Sequence, residues 1–205
     1  KGLHKGIEVM WTGDGVADMI NQGDLDFFKT ATGGMAPFIW LNYPVNDYCI
    51  GHMLMGKFYG NDKGNNAFGG KMTAFTSNPM EYAEASKVAL YGVADYAWNM
   101  KDYNPEANWE RAIGYLMPNN AEAFHVFCEH NVDLGWTVHG LRREGESPNF
   151  NVNGTLDEQK DQFDLMVEAA DALLADTYNP ALITEITPWL QKMKYIGQRR
   201  QRIVQ

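Results

Sequence analysis

The 205-residue chain is 45% hydrophobic and 13% aromatic, which is enough apolar material for a sizeable core in one domain or two. Its formal net charge of -9 argues against a nucleic-acid-binding surface, and its only basic cluster, Arg199, Arg200 and Arg202, suits the last turn of a helix. No apolar run approaches ~18 residues, which excludes a helical membrane span, and Cys49 and Cys128 give neither a disulfide framework nor metal spacing and read as buried thiols.

The first residues, Lys1-Gly2-Leu3-His4-Lys5-Gly6, have no signal-peptide pattern, and no Met opens the chain, so the expectation is a start inside a longer protein. A strand is predicted over residues 7–11, stopping at the turn cluster Thr12-Gly13-Asp14-Gly15. A helix follows over residues 23–32, with Leu25, Phe28 and Ala31 on one face and Gly33-Gly34 as its stop. The apolar run Pro37-Phe38-Ile39 reads as a buried strand ending at Trp40. Residues 47–71 are rich in Gly and Asn and are expected to hold a helix over 48–55 and an exposed loop over 59–66. A third strand is predicted over residues 72–76. Local chemistry then opens a helix, with Asn78 as N-cap, Pro79 at the first helical position and Glu81 completing a capping box, and that helix runs to about Trp98.

After Asn99 only helices are predicted, over residues 108–117, 121–130, 156–176 and from 180 to the end, with a loop over 145–154. Pro188 is expected to break or kink the last of them. The character changes near residues 101–105, dividing a βα part, 1–101, from a helical part, 102–205. Three strands make a poor parallel sheet alone, and a βα barrel needs eight strands and ~250 residues. The fold class is therefore read as α/β then α: the last three βα units of a TIM (β/α)8 barrel followed by a helical domain. A small open sheet standing alone is the other possibility. Open sheet edges lead to an expectation of self-association.

The residues at the end of the second strand carry the chemistry. Trp40-Leu41-Asn42-Tyr43-Pro44-Val45-Asn46-Asp47 offers an aromatic plate, two amides, a Tyr and a carboxylate. Aromatic faces stack on sugar rings, and amide and carboxylate oxygens catch hydroxyls. Trp40 and Asn42 lie two apart, so on a strand they share a face. The plainer alternatives are a core Trp40, an Asp47 that caps the next helix, and an Asn78 that only caps. His125 and His130 are five apart, on different faces of a helix, and no Cys or carboxylate completes a metal set; neither metal nor cofactor is expected.

Trp11-Thr12-Gly13, residues 40–47, and Thr76-Ser77-Asn78-Pro79-Met80-Glu81-Tyr82-Ala83-Glu84-Ala85-Ser86-Lys87 together resemble glycoside hydrolase family 84. So does Ala94-Asp95-Tyr96-Ala97-Trp98-Asn99, and the resemblance returns at Leu182-Ile183-Thr184-Glu185-Ile186-Thr187-Pro188-Trp189. That family holds bacterial β-N-acetylglucosaminidases, also described as hyaluronidases, and O-GlcNAcases. The resemblance implies a catalytic βα barrel followed by a helical domain. It also implies that Trp40 packs against an N-acetyl methyl and that Asn42 supports a catalytic carboxylate. Asp47, partnered by Asn78, would grip the sugar's 4- and 6-hydroxyls. Thr12 and Val16 would stand near the rim, Val16 toward the leaving group. The implied reaction is retaining and substrate-assisted: the acetamide oxygen attacks the anomeric carbon, one Asp polarises the acetamide, and the adjacent Asp acts as acid and then base. The implied ligand is an N-acetylglucosamine-containing glycan or glycoprotein, in a secreted or cell-envelope setting. This chain has no Asp-Asp dipeptide, so it is expected to be a fragment carrying half of the pocket, without the acid and base. The rival readings are a non-catalytic carbohydrate-binding fragment and a helical interaction fragment.

Overall fold

A computed structural model describes residues 3–4, 6–16, 20–47, 53–58, 71–130 and 155–201. In chain order these form β1 (Met10–Trp11), α1 (Gln22–Thr32), β2 (Phe38–Leu41), β3 (Ala74–Ser77), α2 (Ala83–Trp98), α3 (Pro105–Leu116), α4 (Ala121–His130), α5 (Leu156–Leu174) and α6 (Pro180–Gln201). The loops expected over 59–66 and 145–154, Cys49, His139 and residues 48–52 of the expected helix lie outside the described residues.

The three strands form one sheet in the order β1-β2-β3, all parallel. Trp11 is in register with Ile39, and Ile39 with Phe75; Met10 is in register with Phe38, and Phe38 with Ala74. Side chains alternate across a strand, so these two rows lie on opposite faces. The first row is covered: Ile39 packs with Ile20 and Leu25 in a small cluster joined by Trp11, Met72 and Phe75. Trp11 also meets Phe28 of α1, ring centroids 5.1 Å apart. The second row is open, with Met10 54% exposed and Ala74 exposed.

α1 is fixed at both ends by its own sequence. Asn21 Oδ1 accepts from the N–H of Gly23 and Asp24, Asp24 Oδ2 accepts from the Asn21 N–H, and Gly33 ends the helix at φ 75°. Leu25 and Phe28 are buried as expected, whereas Ala31 is exposed.

Four local expectations are corrected. The first predicted strand is shortened to Met10 and Trp11, with the Val9 carbonyl accepting from the Phe38 N–H; Ile7 and Glu8 are exposed. Asn78 does not cap α2, which begins at Ala83, because the Asn78 backbone continues the sheet pairing: its N–H donates to the Leu41 carbonyl and its carbonyl accepts from the Val45 N–H, both at 2.9 Å. Residues 53–55, the described end of the helix expected over 48–55, are not helical. Pro188 does not break the last helix, which passes through it from Pro180 to Gln201. A proline inside a helix costs about 3 kcal/mol. Here the burial of Leu182, Ile186, Trp189, Leu190 and Met193 on the packed side offsets it.

α5 and α6 approach closely at Gly197, where a Cβ would stand 2.8 Å from Val167 Cγ2 and 2.9 Å from the Phe163 carbonyl. One large core cluster runs from Leu41 and Tyr43 through Tyr96, Trp109 and Phe127 to Leu173, Ile186 and Met193. Side chains from before and after residue 101 thus share a single core.

Candidate functional site

The carboxyl ends of β2 and β3 bring three expected site residues into one network. Trp40 Nε1 donates to Asn42 Oδ1 at 2.7 Å, and Asn78 Nδ2 donates to the same oxygen at 3.1 Å. Asn42 Nδ2 donates to the Val16 carbonyl. An indole N–H can only donate, so the Asn42 oxygen must face Trp40 and its NH2 must face Val16. The Asn42 amide is therefore oriented by three neighbours. Trp40, Asn42, Asn78 and Thr12 are each half-buried, which keeps the group within reach of a ligand.

The remaining expected residues sit around this centre. Thr12 directly follows Trp11 of β1, and Val16 is 80% exposed on the connection toward α1. Asp47 is exposed and makes no hydrogen bond to any described residue. The Asn78 side chain goes to Asn42.

A scaffold lies beneath. After β2 the chain turns through a cis Tyr43–Pro44 peptide, and Ser77 Oγ donates to the Tyr43 carbonyl. The irregular segment 53–58 buries Met53, Leu54, Met55 and Phe58. Its carbonyls are taken by side-chain donors: Trp109 Nε1 to Met55 at 2.9 Å, Tyr43 Oη to Gly56 at 3.1 Å and Tyr103 Oη to Phe58. Tyr43 stacks on Phe58 with ring centroids 5.5 Å apart.

Two features were missed in the sequence. Glu185 of α6 caps α2, its Oε2 accepting from the Glu84 and Ala85 N–H groups, and no local pattern signals a cap from so far along the chain. His125 stands between carboxylates, with Nε2 3.1 Å from Glu110 Oε1 and Nδ1 3.7 Å from Glu129 Oε2. The Glu129 spacing of four residues was visible, whereas Glu110 arrives from α3. Among the described residues no three His, Cys, Asp or Glu side chains gather to hold a metal ion.

Two groups have altered acidity. A hydrogen bond with Glu81 holds the Tyr82 hydroxyl above its ordinary 10.0, and burial and the charges of Glu81 and Glu185 push the same way. Burial pushes the Cys128 thiol well above 9.0, and the Glu129 charge adds to this. Neither group belongs to the Trp40–Asn42–Asn78 network.

The sequence model of NAGidase, β-N-acetylglucosaminidase, matches residues 1–129, and that of the bacterial GH84 post-catalytic domain matches residues 141–205. Among solved structures, CpGH84B is 25% identical with a TM-score of 0.80; the match covers 98% of this chain and 37% of that one. An O-GlcNAc hydrolase of Thermobaculum terrenum, solved as a mutant, shares the fold at a TM-score of 0.82 and 24% identity, over 98% of this chain and 45% of that one. The chain spans less than half the length of either structure.

Proposed function

The chain belongs to the β-N-acetylglucosaminidase family NAGidase, and from that membership we propose that it is the segment of a retaining β-N-acetylglucosaminidase that builds one side of the sugar pocket. The observation that carries the reading is the Asn42 amide, oriented by Trp40 and Asn78 where two neighbouring parallel strands end. Ligands of parallel α/β folds bind at that end of the strands. The open sheet face carrying Met10 and Ala74 supports assigning β1, β2 and β3 to the last three units of a barrel, with residues 1–101 as barrel and 102–205 as helical domain.

In this reading Trp40 packs on the acetamide methyl of N-acetylglucosamine. Asn42 steadies the carboxylate that polarises the acetamide. Asp47 and Asn78 take the 4- and 6-hydroxyls, while Thr12 and Val16 form the rim. The sugar's own acetamide is the nucleophile, and the Asp pair that polarises it and moves the proton lies outside this chain. The substrate class is an N-acetylglucosamine-bearing glycan or glycoprotein.

An NMR titration of the chain with N-acetylglucosamine, set against glucose, tests the proposal. The Trp40 indole and the Asn42 and Asn78 side-chain amides are expected to respond to the acetamido sugar and not to glucose. Equal responses, or none, would overturn it.

A further inference from the structure

Helix α2 begins without a local cap. Tyr82 at its N-cap position makes no side-chain capping bond to the helix, so the first N–H groups need acceptors from elsewhere. Glu185 supplies them from α6: its Oε2 accepts from the Glu84 N–H at 2.8 Å and the Ala85 N–H at 3.0 Å. A carboxylate suits the positive end of a helix, and hydrogen bonds to a charged acceptor are the stronger kind. One turn further along α6, the Trp189 ring meets Tyr82 edge-on, centroids 4.8 Å apart and planes at 73°. Residues four apart share a helix face, so one face of α6 holds both the end of α2 and the residue before it.

What α6 holds leads directly to the pocket. Residues 79–82 join Asn78 to the first residue of α2, and they ride on that helix end. Ser86 Oγ lies 2.8 Å from the Tyr82 carbonyl and 3.4 Å from the Met80 carbonyl, and Met80 Sδ accepts from the Leu54 N–H. At the other end of the segment, Asn78 donates its side-chain amide to Asn42.

We propose that Glu185 and Trp189 are positioning residues for the pocket: α6 fixes the start of α2, and the short segment between transmits that placement to the Asn78 amide and so to Asn42. This rests on the sugar-pocket reading of Asn42 and Asn78. It gives the helical part a role at a site to whose hydrogen-bond network none of its described residues contributes.

The test compares Glu185→Ala, Glu185→Gln and Trp189→Phe in the 205-residue chain by NMR. Thr155→Ala serves as control, since it removes the cap of α5, another helix. Glu185→Ala is expected to speed amide exchange at Glu84 and Ala85 about tenfold or more and to shift the Asn42, Asn78 and Trp40 side-chain resonances. Glu185→Gln keeps an acceptor without the charge and should restore part of both effects. Thr155→Ala should leave those resonances in place. Faster exchange at Glu84 and Ala85 with unmoved Asn42 and Asn78 signals would reduce Glu185 to a cap and overturn the proposal, as would equal shifts in the control. Should Glu185→Ala not fold, Glu185→Gln and Trp189→Phe carry the same readouts. None of them uses a sugar, so this inference and the pocket's ligand assignment can fail separately.

Discussion

Trp40 and Asn42, two residues apart at the end of β2, are joined side chain to side chain: the indole N–H donates to Asn42 Oδ1 at 2.7 Å, and Asn78 shares that oxygen. Asn42→Leu removes the acceptor from both donors at half-buried positions and is expected to cost about 1–3 kcal/mol. Trp40→Phe keeps an aromatic face and leaves the Asn42–Asn78 bond, so it should cost less. Urea midpoints for the two variants check this; an Asn42→Leu chain as stable as the parent would mean that the network contributes nothing.

Asp47 separates ligand binding from capping. A carboxylate that accepts sugar hydroxyls makes charge-assisted bonds of about 1.5–3 kcal/mol each, so Asp47→Ala is expected to weaken an N-acetylglucosamine-type inhibitor at least about tenfold. Asp47→Asn keeps the shape and one acceptor and should lose less. Because Asp47 is exposed, the melting temperature should barely move in either variant. Lowered stability with unchanged affinity would instead mark a cap, which is worth about 0.5–2 kcal/mol.

Three helical glycines should respond differently to alanine. In Gly92→Ala the new Cβ would meet Phe58 Cβ and Tyr103 Oη, each at 2.9 Å, and in Gly197→Ala it would meet Val167 Cγ2 and the Phe163 carbonyl. Both variants are expected to lose about 1–3 kcal/mol through overpacking. Gly114 in α3 has nothing within 4 Å, so Gly114→Ala should gain about 0.5–1 kcal/mol from helix propensity. Thermal melts of the three variants decide it, and a stabilised Gly197→Ala would contradict the close approach of α5 and α6.

Alkaline pH should destabilise the chain in two steps. The folded state holds the Cys128 proton more tightly than the unfolded state, so this contribution is full below 9.0 and is lost as pH rises past it toward the higher folded value. Tyr82 behaves the same way from 10.0 upward. Denaturation midpoints measured along an alkaline series should therefore fall. Cys128→Ala should remove the earlier part of the fall and Tyr82→Phe the later part. A Cys128 thiol that alkylates readily in the native chain at neutral pH, read on its own peptide by mass spectrometry, would contradict its burial.

The chain by itself is expected to show no turnover of a chromogenic N-acetylglucosaminide. General acid–base help is typically worth 10²–10⁴-fold, and the acetamide also needs its polarising carboxylate. Hydrolysis at the rate of a complete enzyme would place acid and base among these residues and refute the division proposed above.

Much of this was legible in the sequence where neighbours along the chain decide the outcome. β2 follows from an apolar run, α4 falls on the predicted residues, and the period of two put Trp40 and Asn42 on one face before their hydrogen bond was seen. Asn78 shows the limit. Asn78-Pro79 with Glu81 satisfies the rules of a helix start, yet Leu41 and Val45 claim its backbone for the sheet, and a ladder partner from another strand outweighs a local cap. Pro188 shows the same competition, resolved by packing on α6. Glu185 was unreadable for the converse reason, because the helix end that it serves lies about a hundred residues earlier.

The segment 53–58 has a consequence for modularity. It has no ladder of its own, and the carbonyls of Met55 and Phe58 depend on Trp109 and Tyr103, beyond the last strand and its helix. The two matched stretches, 1–129 and 141–205, are therefore not interchangeable cassettes. Phe127 of the first lies in one core with Leu173 and Ile186 of the second, and Ala85 takes its acceptor from Glu185. A chimera that imports foreign helices after residue 129 must bring a carboxylate and an indole to the same two places, or the start of α2 loses both its acceptor and its ring contact.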